Sequence, residues 1–91
     1  MTATDDPGGY RRARATHERA ATTHDRAADL HEESANFHEQ HAVEVRENGG
    51  SPARIERAER IADAQRELAE QERARADKHR RSALAEPVAG D

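Results

Sequence analysis

Glycine and proline stand at only a few places in this chain, and their positions divide it into two long segments. Neither residue occurs at positions 10–47 or 53–86, whereas positions 48–52 read Asn-Gly-Gly-Ser-Pro. Gly and Pro are the residues that most strongly interrupt helices, so each uninterrupted segment is predicted to be one helix. The sequence therefore predicts an all-α fold, a long antiparallel helical hairpin of the coiled-coil type, with helices at 10–47 and 52–85.

The residues between the two segments carry the signals for ending one helix and beginning another. Asn48 or a following glycine can adopt the left-handed conformation that ends a helix. Ser51 can cap the next helix, and the proline after it fits the first helical position because its missing N–H is not needed there. We therefore expect a turn at 48–51. The end segments 1–9 and 86–91 contain Gly and Pro without periodicity and are predicted to be a disordered leader and tail.

Composition limits how such a hairpin can be stabilised. Charged residues make up 37% of the chain and hydrophobic residues 33%, and 19 of the 30 hydrophobic residues are Ala. Globular domains are usually about 45–50% apolar, so a lone hairpin has little apolar surface to bury. We expect it to dimerise into a four-helix bundle, which would bury more. The alternative is a partly disordered chain that folds only on a partner.

Several functional classes are disfavoured by what the sequence lacks. There is no cysteine, which excludes disulfides and thiolate metal sites. No apolar run resembles a signal peptide or could cross a bilayer, so we expect a cytoplasmic protein without membrane contact. No nucleophile–base pair, phosphate-binding loop or pocket-forming sequence is present, and we expect no enzymatic activity. The net charge of -4 argues against attraction of nucleic acid to the whole surface.

Histidines recur every seven residues along the first predicted helix. The row reads His17, His24, His31 and His38. On one side of it lies a row of Ala21, Ala28, Ala35 and Ala42. On the other side lie a row of Ala20, Ala27, Ser34 and His41 and, next to that, a row of Thr16, Thr23, Leu30 and Phe37. These rows together are predicted to form one buried stripe, with the histidines inside it. In the second helix, the predicted seam is Ile55, Ala62, Ala69, Ala76 and Ala83, and the row facing the histidines is Ala58, Gln65, Glu72 and His79. Folding at the glycine pair places residue i roughly opposite residue 99 minus i.

The histidine row has three interpretations. Imidazole ligands suit Zn, Cu and Ni, and helical bundles build metal sites from facing helices. The candidate metal ligands are His17, His24, His31, His38, His41, Glu72 and His79. Histidines seven residues apart on one helix lie about 10 Å apart, so any such site needs ligands from another helix. Alternatively, the row is a ladder of polar side chains that fixes register and oligomeric state, or it senses pH.

Basic residues collect where the start of the first helix meets the end of the second. They are Arg11, Arg12, Arg14, Arg73, Arg75, Lys78, Arg80 and Arg81. Such a basic pole would suit an acidic protein or a nucleic acid. The function we expect is a non-enzymatic interaction or scaffold protein that self-associates. The alternatives are a transition-metal binding or storage protein that uses the histidine row, and a nucleic-acid- or ribosome-associated factor that uses the basic pole.

Overall fold

The structure, a computed structural model, describes residues 7–85. These residues form two helices joined by a short turn. Helix α1 spans Pro7–Glu47 and helix α2 spans Pro52–Ala85. The helices hold 95% of these residues, which include no strand, and the hairpin is 61 Å long. The predicted all-α helical hairpin is confirmed. Residues 1–6 and 86–91, to which most of the predicted leader and tail belong, lie outside the described residues.

Helix α1 begins earlier than predicted. Its expected start was Tyr10, whereas the helix begins at Pro7 and includes Gly8 and Gly9. Proline is tolerated in the first turn of a helix because the N–H groups there have no partner within the helix. The last three residues of the predicted leader therefore belong to α1. The end of α1 at Glu47 and both bounds of α2 agree with the prediction.

The turn uses one glycine in a left-handed conformation and a serine cap. Gly49 has φ 70°. The Gly49 N–H donates to the Arg46 carbonyl at 3.2 Å and the Gly50 N–H donates to the Val45 carbonyl at 2.7 Å, the paired hydrogen bonds of a Schellman motif. The Ser51 hydroxyl then accepts the N–H of a first-turn residue of α2 at 3.3 Å. These local bonds reverse the chain and set α2 antiparallel to α1.

The interface between the helices is made almost entirely of alanine. The buried apolar residues of the described chain are Ala21, Ala28, Ala35, Ala42 and Val45 in α1, and Ala58, Ala62, Ala69, Ala76 and Ala83 in α2. This confirms the predicted alanine rows of both helices. No large side chain is fully buried within the described residues. Since hydrophobic stabilisation grows with the apolar area removed from water, a seam of methyl groups gives a weakly stabilised hairpin.

The outer row of the predicted buried stripe is exposed. Leu30 and Phe37 were expected in the core, yet they are 66% and 67% exposed, and Leu68 of α2 is 39% exposed. On a helix Leu30 lies roughly 160° around the axis from the Ala28 row, which is farther than one neighbouring helix can cover. The prediction that these large side chains are buried is therefore wrong for the single hairpin.

Candidate functional site

One side of the hairpin is a ladder of ion pairs, which we call the charged face. It consists of Asp25–Arg80, Glu32–Arg73, Glu39–Arg66 and Arg46–Glu59. The hydrogen bond from Arg73 to Glu32 and the one from Arg80 to Asp25 raise the pKa of each guanidinium. The sequence analysis did not pair these residues. The signal was present in the sequence as two rows with seven-residue spacing. One row in α1 is acidic (Asp25, Glu32 and Glu39), and one in α2 is basic (Arg66, Arg73 and Arg80).

The other side of the hairpin carries the histidine row, and we call it the histidine face. Its members are His17, His24, His31, His38 and His41 of α1, Gln65, Glu72 and His79 of α2, and the flanking Leu30, Phe37, Ile61 and Leu68. Ile61 and Leu68 are three or four positions from members of the row that faces the histidines. Leu30 and Phe37 lie farther out, at the outer edge of this face on α1, where Phe37 contacts His38 and His41. The histidine face therefore combines imidazoles, one amide and one carboxylate with three of the four exposed large apolar side chains of the described residues, and basic side chains line its two grooves.

Each of the first three histidines has a polar partner across the interface. The His24 Nδ1–H donates to Glu72 Oε2 at 2.5 Å, and the His31 Nδ1–H donates to Gln65 Oε1 at 2.7 Å. His17 Nδ1 lies 3.1 Å from His79 Nδ1. Gln65, Glu72 and His79 belong to the row predicted to face the histidines, and the structure brings each of them into contact with one.

The contacts at the end of the hairpin farthest from the turn, which we call the open end, form one continuous polar network. The His79 ring stacks on the His24 ring, with centroids 5.5 Å apart and an interplanar angle of 12°. Glu72, the partner of His24, also accepts a hydrogen bond from Arg75 at 2.8 Å. The hydrogen bond from His24, with the charge of Arg75 in support, lowers the pKa of Glu72. The network thus holds an ionised carboxylate beside stacked imidazoles.

The histidines line the edge of the interface and are not buried in it. His17, His24, His31, His38 and His79 are half-buried, His41 is exposed, and no polar side chain is buried among residues 7–85. The prediction of histidines inside a buried stripe is therefore wrong. The physical reason is the alanine seam, which lets the helices approach too closely for an imidazole to lie between them. The paired residue numbers add to 96 on this side, three residues from the expected register.

The two histidines nearest the turn contact an aromatic side chain. The His38 ring meets the edge of the Phe37 ring with centroids 5.3 Å apart, and the His41 ring lies parallel to it at 6.5 Å. A shallow groove of about 290 Å³ begins here, lined by His38, His41, Arg54, Arg57, Ala58 and Ile61. In the α2 row that faces the histidines, the position nearest the turn is Ala58, which has no polar side chain. This end of the histidine face is therefore more apolar than the open end.

The seven candidate metal ligands are divided among separate contacts along the hairpin. Within the described part of the chain, no three His, Asp or Glu side chains converge on one point where an ion could be held. His31 is paired with an amide, and His38 and His41 lie beside Phe37. Among residues 7–85, His17 and His79 are the pair that brings two imidazole nitrogens together.

The basic residues share one half of the hairpin but are divided between its two faces. Arg14 Nε donates to the Ala83 carbonyl at 3.2 Å, which ties the start of α1 to the end of α2. Arg73 and Arg80 are paired with carboxylates on the charged face. Arg75 and Lys78 line a groove on the histidine face. These contacts distribute the positive charge over two surfaces, and binding of nucleic acid remains a prediction.

Comparisons with protein-family models, curated proteins and solved structures returned no match to this chain. Neither described helix has a stretch long and apolar enough to span a membrane.

Proposed function

We propose that the chain is a non-enzymatic interaction module that self-associates, with two hairpins packed histidine face to histidine face as a four-helix bundle. The observation that carries this proposal is the uneven distribution of exposed apolar residues. Leu68 is exposed on the histidine face and Leu30 and Phe37 at its outer edge, whereas four ion pairs and a single exposed leucine, Leu84, occupy the opposite side of the described residues. Exposed apolar surface concentrated on one side of a small protein is characteristic of a protein-binding site.

The histidine face is large enough for a stable dimer. The hairpin is 61 Å long, and two adjacent helices are about 20 Å wide. The face therefore measures about 1,200 Å², compared with about 800 Å² per partner in a standard interface. Packing two such faces would cover Leu68 and the outer-edge residues Leu30 and Phe37, and it would supply the burial that the alanine seam lacks.

A second copy of the chain is the occupant that the chemistry of this face favours. A two-fold interface brings the same surface of each copy together. Neutral imidazoles both donate and accept hydrogen bonds, so a row of them can pair with its own copy. Ion pairs occupy the charged face along its length, so like charges from two copies would meet there in many arrangements. The basic residues that line grooves on the histidine face lie near its two ends, Arg54 and Arg57 beside the turn and Arg75 and Lys78 at the open end. Self-association is therefore expected through the histidine face.

The experiment that tests this proposal compares one substitution on each face. Phe37→Glu introduces a carboxylate on the histidine face, and Leu84→Glu is the matched control, since Leu84 is 84% exposed and lies one turn after Arg80 on the charged face. Mass is measured by light scattering during gel filtration at micromolar concentration, with helix content checked by circular dichroism. We expect dimers for the parent and Leu84→Glu and monomers for Phe37→Glu, because losing an aromatic interface residue costs about 2 kcal/mol or more. A dimeric Phe37→Glu variant would refute the proposal.

A further inference from the structure

The open end of the hairpin brings two imidazole nitrogens from different helices within 3.1 Å of each other. They are Nδ1 of His17 in α1 and Nδ1 of His79 in α2. Both side chains are half-buried. They border a groove of about 280 Å³ that is also lined by His24, Arg75, Lys78 and Ser82. The groove therefore gives small ions in solvent access to both rings.

We propose that His17 and His79 together bind one divalent transition-metal ion, of the Zn²⁺, Cu²⁺ or Ni²⁺ class, through their Nδ1 atoms. Imidazole nitrogens bind Zn²⁺ at about 2.0–2.1 Å, so two of them on a tetrahedral ion are about 3.3–3.4 Å apart. The separation of 3.1 Å between His17 Nδ1 and His79 Nδ1 is smaller by only a few tenths of an ångström. Small movements of two half-exposed rings would admit the ion.

Among the described histidines, His17 and His79 are the pair whose ring nitrogens approach each other across the interface. His24 Nδ1 is held by Glu72 at 2.5 Å, and the His24 ring stacks on the His79 ring. His24 is therefore a positioning residue that fixes the orientation of His79. His31 is bonded to Gln65, in a contact that offers one imidazole and one amide. Water would fill the remaining positions on the ion, which makes the site weaker than one with three or four protein ligands.

Metal binding changes the tautomer of one ring. A hydrogen bond between two Nδ1 atoms requires that one of them carries the proton and the other accepts it. A bound ion requires a lone pair on both Nδ1 atoms, so the proton of the first ring must lie on its Nε2 instead. The neighbouring Arg75 and Lys78 oppose an added positive charge, although Arg75 is held on the Glu72 carboxylate. The ion, in turn, would link α1 to α2 at the end farthest from the turn.

The first test is a calorimetric titration of the full chain with ZnCl₂. We expect one Zn²⁺ per chain for the parent and a loss of affinity of more than about tenfold for His17→Asn and for His79→Asn, as removing a ligand exceeds the effect of an outer-shell change. His31→Asn and His41→Asn are the matched controls, since each removes a histidine of the same face, and they should retain the parent affinity. Parent-like binding by His17→Asn and His79→Asn, or equal loss in the controls, would overturn the proposal.

The second test needs no substitution and so does not depend on how the variants fold. Two-dimensional ¹H–¹⁵N spectra of the histidine rings distinguish Nδ1 from Nε2. On addition of Zn²⁺ to the parent chain, we expect the Nδ1 resonances of two histidines, His17 and His79, to shift together. Shifts at Nε2, or at His38 and His41 in their place, would overturn the assignment. Both nitrogens belong to one chain, and the groove beside them lies on the histidine face. The same shifts in the Phe37→Glu variant therefore separate metal binding from self-association.

Discussion

At the scale of single residues, Gly49 and Gly50 are required for different reasons. Gly49 has a positive φ of 70° and open space around the position of a side chain, whereas a Cβ on Gly50 would lie 2.3 Å from Val45 Cγ1 and 2.9 Å from the Val45 carbonyl oxygen. We expect Gly50→Ala to lower the free energy of unfolding by about 1–3 kcal/mol, the usual cost of overpacking. Urea unfolding followed by circular dichroism measures this difference.

The control for that substitution is Gly49→Asn. Asn is the non-glycine residue that most readily adopts the left-handed conformation at the end of a helix, and nothing lies within 4 Å of the position of its Cβ. Gly49→Asn should therefore be tolerated better than Gly50→Ala. The reverse order of stability would contradict the close approach of Gly50 to Val45.

Glu72 predicts how the stability of the hairpin changes with pH. The His24 hydrogen bond holds the pKa of Glu72 below its ordinary value of 4.5. A carboxylate whose pKa is lower in the folded state stabilises the fold at pH values above 4.5, and this contribution is lost as the pH falls through the folded pKa. Glu72→Gln removes the titrating group. We expect the variant to lose less unfolding free energy than the parent between neutral pH and pH values below 4.5.

Urea unfolding across that pH range measures the effect, and Glu67→Gln is the matched control. Glu67 is an exposed carboxylate of the same helix, so its substitution should leave the acid dependence of the parent intact. Identical pH profiles for Glu72→Gln and the parent would show that the His24–Glu72 contact does not favour the ionised carboxylate.

At the scale of the helices, the alanine seam sets how closely α1 and α2 approach. Ala69 is 1% exposed in the seam, whereas Ala74 of the same helix is exposed. We expect Ala69→Leu to lower the free energy of unfolding by about 1–3 kcal/mol, because the larger side chain forces the helices apart. Ala74→Leu should change it by less than about 0.5 kcal/mol, as substitutions at the surface usually do. Equal stability of the two variants in urea unfolding would contradict a close-packed seam.

The ion pairs of the charged face select the register of the helices more than they stabilise them. Exposed pairs of this kind contribute about 0–1 kcal/mol each. In three of the pairs the carboxylate belongs to α1 and the arginine to α2. The fourth pair is reversed, since Arg46 of α1 meets Glu59 of α2. A slip of seven residues would place Glu39 opposite Glu59 in one direction and Arg46 opposite Arg66 in the other. Either slip brings like charges together, so the reversed pair penalises both.

Much of this element-level structure could be predicted from the sequence, because it depends on local signals. The turn at 48–51, the bounds of α2 and the alanine rows all follow from Gly, Pro and seven-residue spacing. The register could not be fixed by one number, since the paired residues add to 96 on the histidine face and to 105 on the charged face. A prediction that pairs residues symmetrically about the glycines assumes the same sum on both sides of the helix pair, so it misses this difference.

At the scale of the whole molecule, the seven-residue spacing did not show which rows of α1 side chains a single partner helix can cover. The stripe that includes Leu30 and Phe37 is wider than the contact with α2, so its outer row stays exposed in the single hairpin. Periodicity shows that residues share a side of a helix, but it does not show how many neighbours are needed to bury them. The exposed row is accounted for if a second hairpin packs on it, which is the central claim here.

Sedimentation equilibrium of the unmodified chain, run at micromolar concentrations with a metal chelator present, tests that claim most directly. The chelator separates self-association from any effect of a bound ion. We expect a mass of twice the 10.1 kDa of the chain, with dissociation only on dilution. A helical, cooperatively folded particle of 10.1 kDa at every concentration would show that the alanine seam is sufficient alone, and it would contradict pairing through the histidine face.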